Sequence, residues 1–407
     1  MLDLLAAVLL GVLLGYFSGM VPGFHANNVA LIALWAAAAF EFDPLLMSVI
    51  LVSTGTTHAI VDFIPSIFLG APSEGTALAV SPGHRMLMLG RGFEALALSV
   101  VGGLFGVVMV LLGFVFLRTF SGAAYSFISS YLGAILVVVS CIMILVEKRK
   151  ILALCIFLLS GFYGLLSLNS PVNQQFVLLP VLSGLFGAST LALSYSNAPS
   201  VPKQAIKTNI PLKEAIHGGI VGVFGGILAG FLPGVGTSQS AIIVQRITRM
   251  RGARKFIIVL GAIGAADVIL SLLALQFIGR TRSGIAAAVE RLYSGFAMGE
   301  TYLFLGVGLL ASGLAAFAAV KTGVVFAKGA AMRDTKKVSG IIFVFLLLLC
   351  AMFTGCLGVV VFFTGCAIGV LPHVLKTKKS LLISCLLLPT MLYFTGADRV
   401  VLATLGI

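Results

Sequence analysis

The feature that most constrains this chain is a succession of apolar stretches with little between them. They fall at about 4–20, 25–40, 45–61, 93–117, 124–146, 151–167 and 175–195, and again at about 214–230, 237–247, 256–278, 301–320, 340–354, 359–375 and 380–396. With 60% hydrophobic and 10% charged residues over 407 positions, and a mean hydropathy of +1.16, there is more apolar surface here than a soluble core hides. The chain reads as an all-α polytopic membrane protein of about 10–14 membrane segments. Several stretches are shorter than the roughly 20 residues of a straight span, and these read as half-helices.

A polar linker at 197–213, with Pro199, Pro202, Lys203, Lys207 and Lys213, divides the chain into a first half, 1–196, and a second, 214–407. One motif occurs in both. Gly11, Gly15, Gly19, Pro22 and Gly23 recur 211 residues later as Gly222, Gly226, Gly230, Pro233 and Gly234. Each Pro-Gly is followed by a polar run: His25, Asn27 and Asn28 in the first copy, Thr237, Ser238, Gln239 and Ser240 in the second. A second match, Gly70–Val80 on Gly279–Val289, keeps nearly the same offset, at 209 residues. The competing reading is that glycine-rich membrane helices resemble one another because small residues allow close packing.

The net charge of +13 would suggest nucleic acid in a soluble chain, but the basic residues sit in short loops between apolar spans and report the cytoplasmic side instead. Equivalent loops carry opposite charge. Glu41–Asp43 has no Lys or Arg, whereas its counterpart holds Arg246, Arg249, Arg251, Arg254 and Lys255. The halves are therefore expected to be inverted repeats. Loops near 84–91, 147–150, 197–213, 246–255, 321–339 and 376–379 are placed inside; those near 41–44, 118–123, 168–174, 292–300 and 355–358 are placed outside. Segments 62–84 and 279–291 return to the side they start from and are read as re-entrant hairpins, being too short for two crossings.

The Pro-Gly breaks are the first candidates for chemistry. Irregular backbone at membrane depth is tolerated only inside protein or beside water. A half-helix starting after Gly23 or Gly234 offers free N–H groups to an anion, and freed carbonyls with Asn27, Asn28, Ser238 and Gln239 suit Na⁺. The alternative is a proline kink whose neighbours satisfy the backbone. The hairpins bring Ser73, Glu74 and Gly75 in one half, and Arg280, Thr281, Arg282 and Ser283 in the other. Intramembrane ionisable groups mark sites, although for the two arginines an outer surface loop is the preferred reading. Asp62 and Asp267 are candidates for ion coupling, with local pairing or helix capping as the rival role; His58 and His25 are candidate proton carriers, with a hydrogen-bonded structural histidine as the preferred reading of each. The polar run Ser53–His58 is expected to line the same cavity.

The six cysteines form no ligand spacing and are expected to be small core residues. No metal site, cofactor or nucleophile–base arrangement is expected. The chain has no phosphate-binding P-loop, so concentrative work is expected from an ion gradient, Na⁺ or H⁺, or from a partner. The N-terminus lacks a basic leader and a small-residue cleavage site, so no removable signal peptide is expected.

The Pro-Gly motif of Gly19–Asn28, the stretch Gly70–Gly75 and the run Ser81–Ala95 resemble the large membrane subunit of tripartite tricarboxylate transporters, the TctA type, in a shorter, divergent branch. The resemblance implies cation-coupled uptake of a di- or tricarboxylate, with a small membrane subunit and an extracytoplasmic solute-binding protein as partners. By position it implies that Pro22, Gly23, Asn27, Asn28, Glu74, Gly75, Pro233, Gly234, Thr237 and Ser238 line the site. The expected function is secondary active transport of a small organic anion in the cell membrane, with membrane lipid around the chain and homo-oligomers allowed. A translocase of an anionic lipid phosphate is the alternative, and an intramembrane enzyme a third reading.

Overall fold

The computed structural model describes residues 2–21, 25–70, 75–76, 78–174, 176–196, 201–206, 208–232, 235–293, 295–329 and 335–405. Every regular element among them is helical. The first half contains α1 (Leu2–Met20), α2 (Ala26–Phe40), α3 (Pro44–Val61), α4 (Phe63–Phe68), α5 (Val80–Met88), α6 (Gly92–Leu112) and α7 (Phe114–Ser129). It continues with α8 (Leu132–Leu145), α9 (Lys150–Leu168), α10 (Leu178–Leu182), a π-helical turn at Ser183–Ala188, and α11 (Ser189–Ser196). The second half contains α12 (Leu212–Phe231), α13 (Thr237–Ile247), α14 (Ala253–Ile278), α15 (Gly284–Leu292), α16 (Met298–Lys328) and α17 (Thr335–Val374). A 3₁₀ turn at Lys379–Ile383, α18 (Ser384–Thr395) and α19 (Asp398–Leu405) complete it. Among the described residues eight helices are long and apolar enough to cross a membrane, so this is a multi-pass membrane protein.

The chain divides into two compact units, and each draws on both halves of the sequence. The larger contains residues 1–125, 200–232 and 236–334. Within it α1 packs on α3, and α12 on α14, along the duplicated glycines. A Cβ at Gly11 or Gly15 would strike the carbonyl oxygen of Ile50 or Thr54, and one at Gly19 would lie 2.9 Å from Val61 Cβ. In the second copy a Cβ at Gly226 would lie 3.0 Å from Ala266 Cβ, and one at Gly230 would lie 2.6 Å from Leu270 Cβ. The partners correspond as well: Val61 and Asp62 become Leu270 and Ser271, each 209 residues on. Close backbone approach of this kind substitutes for hydrophobic drive between helices in lipid. The glycine part of the repeated motif is thus a packing seam. It leaves the Pro-Gly and the polar run to be explained.

The loops that charge placed on one side converge. Glu94, 6% exposed, accepts two hydrogen bonds from Arg91 (2.6 and 2.8 Å) and pairs with Arg254. Arg254 also reaches Glu214 (3.2 Å) and the Asn209 carbonyl (2.8 Å). Gln204 of the linker receives the Gly92 N–H at 2.7 Å and donates to the Leu87 carbonyl at 3.0 Å. On the loops expected at the other side, Asp43 caps α3 by accepting the Leu45 N–H at 2.7 Å. Nearby, the Tyr293 phenol is pushed above its ordinary pKa by its hydrogen bond to Glu300, by that carboxylate's charge, by lost hydration and by Asp43.

The smaller unit contains residues 126–199, 233–235 and 335–407. α17 is two helices rather than one rod. Gly355 takes φ 64°, ψ −163°, and the Phe343 and Phe362 rings meet at 5.5 Å although a straight helix would hold them about 28 Å apart. The predicted outer turn at 355–358 falls at this break. Lys379 donates to the Phe186 carbonyl (3.1 Å), Ser189 (3.0 Å) and Thr190, pinning the π-helical turn.

Three expectations are corrected. The outer loop at 118–123 lies within α7: the helix breaks before it at Gly113 and after it between Ser129 and Leu132, and nothing in 118–123 itself stops a helix. The loop at 321–339 begins late, because α16 continues to Lys328. Lys321 keeps its stem on apolar surface, its ammonium 5.4 Å from the Phe317 ring. Cys141, Cys155 and Cys356 are exposed on outward helix faces rather than in the core; only Cys350 and Cys385 are buried.

Candidate functional site

The site is built where the first Pro-Gly element interrupts the helix. α1 stops at Met20, short of a proline that cannot continue the backbone ladder. Pro22 and Gly23 lie outside the described residues. α2 restarts at Ala26 with His25 as its N-cap: extended backbone (φ −77°, ψ 154°), and an Nδ1 that accepts the Asn27 N–H at 3.2 Å. The next polar side chain reaches into the other half of the sequence. Asn27 Oδ1 accepts the Gly284 N–H at 3.1 Å, and a Cβ at Gly284 would come within 2.7 Å of Asn27 Cγ. Gly284 is the first residue of α15, whose N-cap Ser283 accepts the Ala286 N–H at 3.1 Å. Two helix N-termini, one from each half, therefore meet at Asn27. Asn28 lies in the first turn of α2.

Beneath this junction lies His58 on α3, 5% exposed. Its Nδ1 is 3.0 Å from Ser18 Oγ, and its ring centroid is 4.9 Å from that of His25. Among the described residues its Nε2 has no hydrogen-bond partner. One turn on, buried Asp62 ends α3 and accepts the Thr76 hydroxyl at 3.1 Å, while Ser66 Oγ lies 2.6 Å from Thr76 Oγ1 and 2.8 Å from the Asp62 carbonyl oxygen. Asp62 thus ties α3 to the stretch that leads into α5. Gly75 sits in that stretch, half-buried; Ser73 and Glu74 lie outside the described residues.

The second Pro-Gly element is also followed by a helix, though its N-cap makes no side-chain bond. Pro233 and Gly234 lie outside the described residues, and α13 starts at Thr237 with Gly236 as N-cap. Thr237, Ser238, Gln239 and Ser240 form its first turn and are all buried. Gln239 Oε1 and, on α14, Ser271 Oγ have no partner among the described residues. Ser271 lies beside the end of α12, its amide nitrogen 3.3 Å from a Cβ built on Gly230. Asp267, half-buried on α14, takes the place in its seam that His58 takes on α3.

The hairpin arginines do not act as a pair. Arg280 is exposed. Arg282 donates through Nη2 to the Tyr125 hydroxyl at 3.0 Å and lies 5.3 Å from that ring's centroid, with its Nε buried and unpartnered among the described residues. The Ser53–His58 run is also corrected. Ser53 and Thr57 face the α1 glycines, Thr54 donates to the Gly11 carbonyl, and Thr56 donates to the Val52 carbonyl, so only His58 reaches the junction. Sequence reasoning missed Ser18, Thr76, Tyr125 and Ser271. Thr76 and Ser271 had a signal, since each lies inside or beside a repeated block; Tyr125 had none.

The whole chain, breaks included, can be set beside known proteins. The model of the Tripartite tricarboxylate transporter TctA family matches residues 5–384. The chain belongs to the TctA family. An uncharacterized protein of Methanocaldococcus jannaschii is 29% identical over 411 residues, covering 97% of this chain and 99% of that protein. No solved structure matches. As a TctA-family member the chain is a component of a tricarboxylate transport system, and TctA is a family of transporters rather than enzymes. The match extends across both glycine seams and both Pro-Gly motifs.

Proposed function

We propose that this TctA-family protein carries an organic anion of the di- or tricarboxylate class across the membrane by alternating access around the two Pro-Gly breaks, driven by Na⁺ or H⁺. One observation carries the reading: Asn27 joins the N-terminus of α2 to the N-terminus of α15. The positive ends of two helix dipoles then meet at one place, an arrangement that suits a carboxylate. In the other break Gln239 Oε1, without a partner among the described residues, supplies a hard oxygen for a cation. The repeated seam contacts support two copies of one scaffold, and inverted repeats let one half rock against the other. A small membrane subunit and an extracytoplasmic solute-binding protein complete the system in this reading. Translocation of an anionic lipid phosphate is less favoured, because the family is one of tricarboxylate transporters and the two hairpin arginines do not converge.

Uptake of labelled citrate into proteoliposomes, with and without a Na⁺ or pH gradient, tests the proposal. Pro22→Ala combined with Pro233→Ala should abolish uptake while expression and thermal unfolding stay near wild type. Loss of the folded protein instead would make the prolines structural.

A further inference from the structure

We infer that His25 and His58 form a two-imidazole site that binds one proton, taken up on His58 Nε2, and that this is the ion coupled to anion binding. The inference rests on the transport reading above and names its ion. In the tautomer in which the Ser18 hydroxyl keeps its 3.2 Å bond to the Gly15 carbonyl, His58 Nδ1 carries the proton it shares with Ser18 Oγ, 3.0 Å away. That leaves a lone pair on Nε2, buried and without a partner among the described residues. His25 spends its Nδ1 lone pair on the Asn27 N–H, so its own proton is on Nε2. Of the two basic nitrogens, one is vacant and the other is engaged in capping a helix. The first proton goes to the vacant one. A second is opposed by the first charge, 4.9 Å away between ring centroids, and would have to break the α2 cap.

The other ionisable groups on the elements packed around His58 are committed or more distant in the fold. On α3 itself Asp62 holds Thr76; on α1 Tyr16 lies 2.7 Å from the Thr322 hydroxyl of α16. On α6 Glu94 is paired with Arg91 and Arg254, and on α16 Lys321 lies over Phe317. Before α15, Arg282 is held on Tyr125; on α15, Glu290 and Arg291 are exposed at its far end; and α14 contributes Asp267, which has an interaction of its own. His25 is the titratable group in ring contact with His58. From it a continuous path runs through Asn27 to the Gly284 amide of α15. An imidazolium at His58 adds a full positive charge beneath the two helix N-termini that receive the carboxylate. Proton and anion each favour the binding of the other, which is the thermodynamic requirement for symport.

Two variants separate the roles. His58→Gln keeps a polar side chain and cannot take the proton. His25→Asn keeps a good N-cap and removes the second imidazole. Purified protein with ring-labelled histidine gives five imidazole signals to follow by NMR from pH 5 to 8. The His58 signal, assigned by its loss in His58→Gln, should titrate as a single proton, and should titrate at higher pH in His25→Asn. Citrate affinity of the wild type should rise by up to about tenfold per pH unit on acidification, the limit for one linked proton. In His58→Gln that pH slope should be lost. A His58 that stays neutral throughout this range, or a His58→Gln variant that keeps the wild-type pH slope, overturns the inference. If wild-type protein neither binds nor carries citrate, the transport reading falls, and the NMR titration alone decides the proton site.

Discussion

Asn27 is the residue at which the transport reading is most exposed to test. Asn27→Ala removes the acceptor of the Gly284 N–H and leaves the first amide of α15 unpaired. The loss resembles that of a helix cap or an interhelical hydrogen bond in lipid, about 1–2 kcal/mol. A conformational equilibrium set by this contact would shift about 5- to 30-fold. Asn27→Asp separates architecture from anion binding. A carboxylate keeps the acceptor and suits a helix N-terminus, so stability should hold or rise. A bound substrate carboxylate would then face a like charge at about 5 Å, costing about 3 kcal/mol at an effective dielectric of about 20, or roughly 100-fold in affinity. Thermal unfolding in detergent and citrate binding measured on the same preparations give the comparison. Alanine should lower both stability and uptake, whereas aspartate should lower binding alone. If Asn27→Asp binds citrate like the wild type, no anion sits at this junction. If it unfolds like Asn27→Ala, the contact is only structural.

Three further outcomes are expected. Gly15→Ala should destabilise more than Gly226→Ala, by about 1–3 kcal/mol, because its Cβ meets the Thr54 carbonyl whereas that of Gly226 meets a methyl 3.0 Å away; thermal unfolding of the two variants decides. Glu94→Gln should cost about 1–3 kcal/mol by leaving Arg91 and Arg254 without their shared carboxylate, and adding Arg254→Met should restore part of it in the same assay. Phe343→Cys with Phe362→Cys, in a background with the six native cysteines replaced, should cross-link through a short bifunctional reagent within one chain. Failure to do so would argue for a straight α17.

The helices were legible from the sequence almost to their ends. The predicted stretch 237–247 is α13 residue for residue, and 45–61 differs from α3 by one position. Apolar runs in lipid leave a helix as the single way to satisfy each backbone group, so hydropathy reads secondary structure directly. It failed where an apolar run contains a turn or a charged residue continues a helix, as at Gly113 and Lys321. The site was legible as a set of residue types rather than as contacts. Asn27 and Gly284 were both inside repeated blocks, but nothing in either block says that one accepts a hydrogen bond from the other. His58 read as part of a polar run of six, yet packing turned its neighbours into the glycine seam and left it alone at the junction.

The sequence by itself determined that this chain lives in a membrane, where its helices fall, that two motifs recur in order, and to which family it belongs. Each of these is a property of composition or of spacing along the chain, which folding does not alter. Only the tertiary structure decided what the repeated glycines do and which polar residues meet. Helices in lipid associate through close approach and a few hydrogen bonds, and both depend on which faces are brought together. The duplicated motif divides accordingly. Its glycines hold α1 on α3 and α12 on α14, and the polar residues after the first break tie α2 to α15.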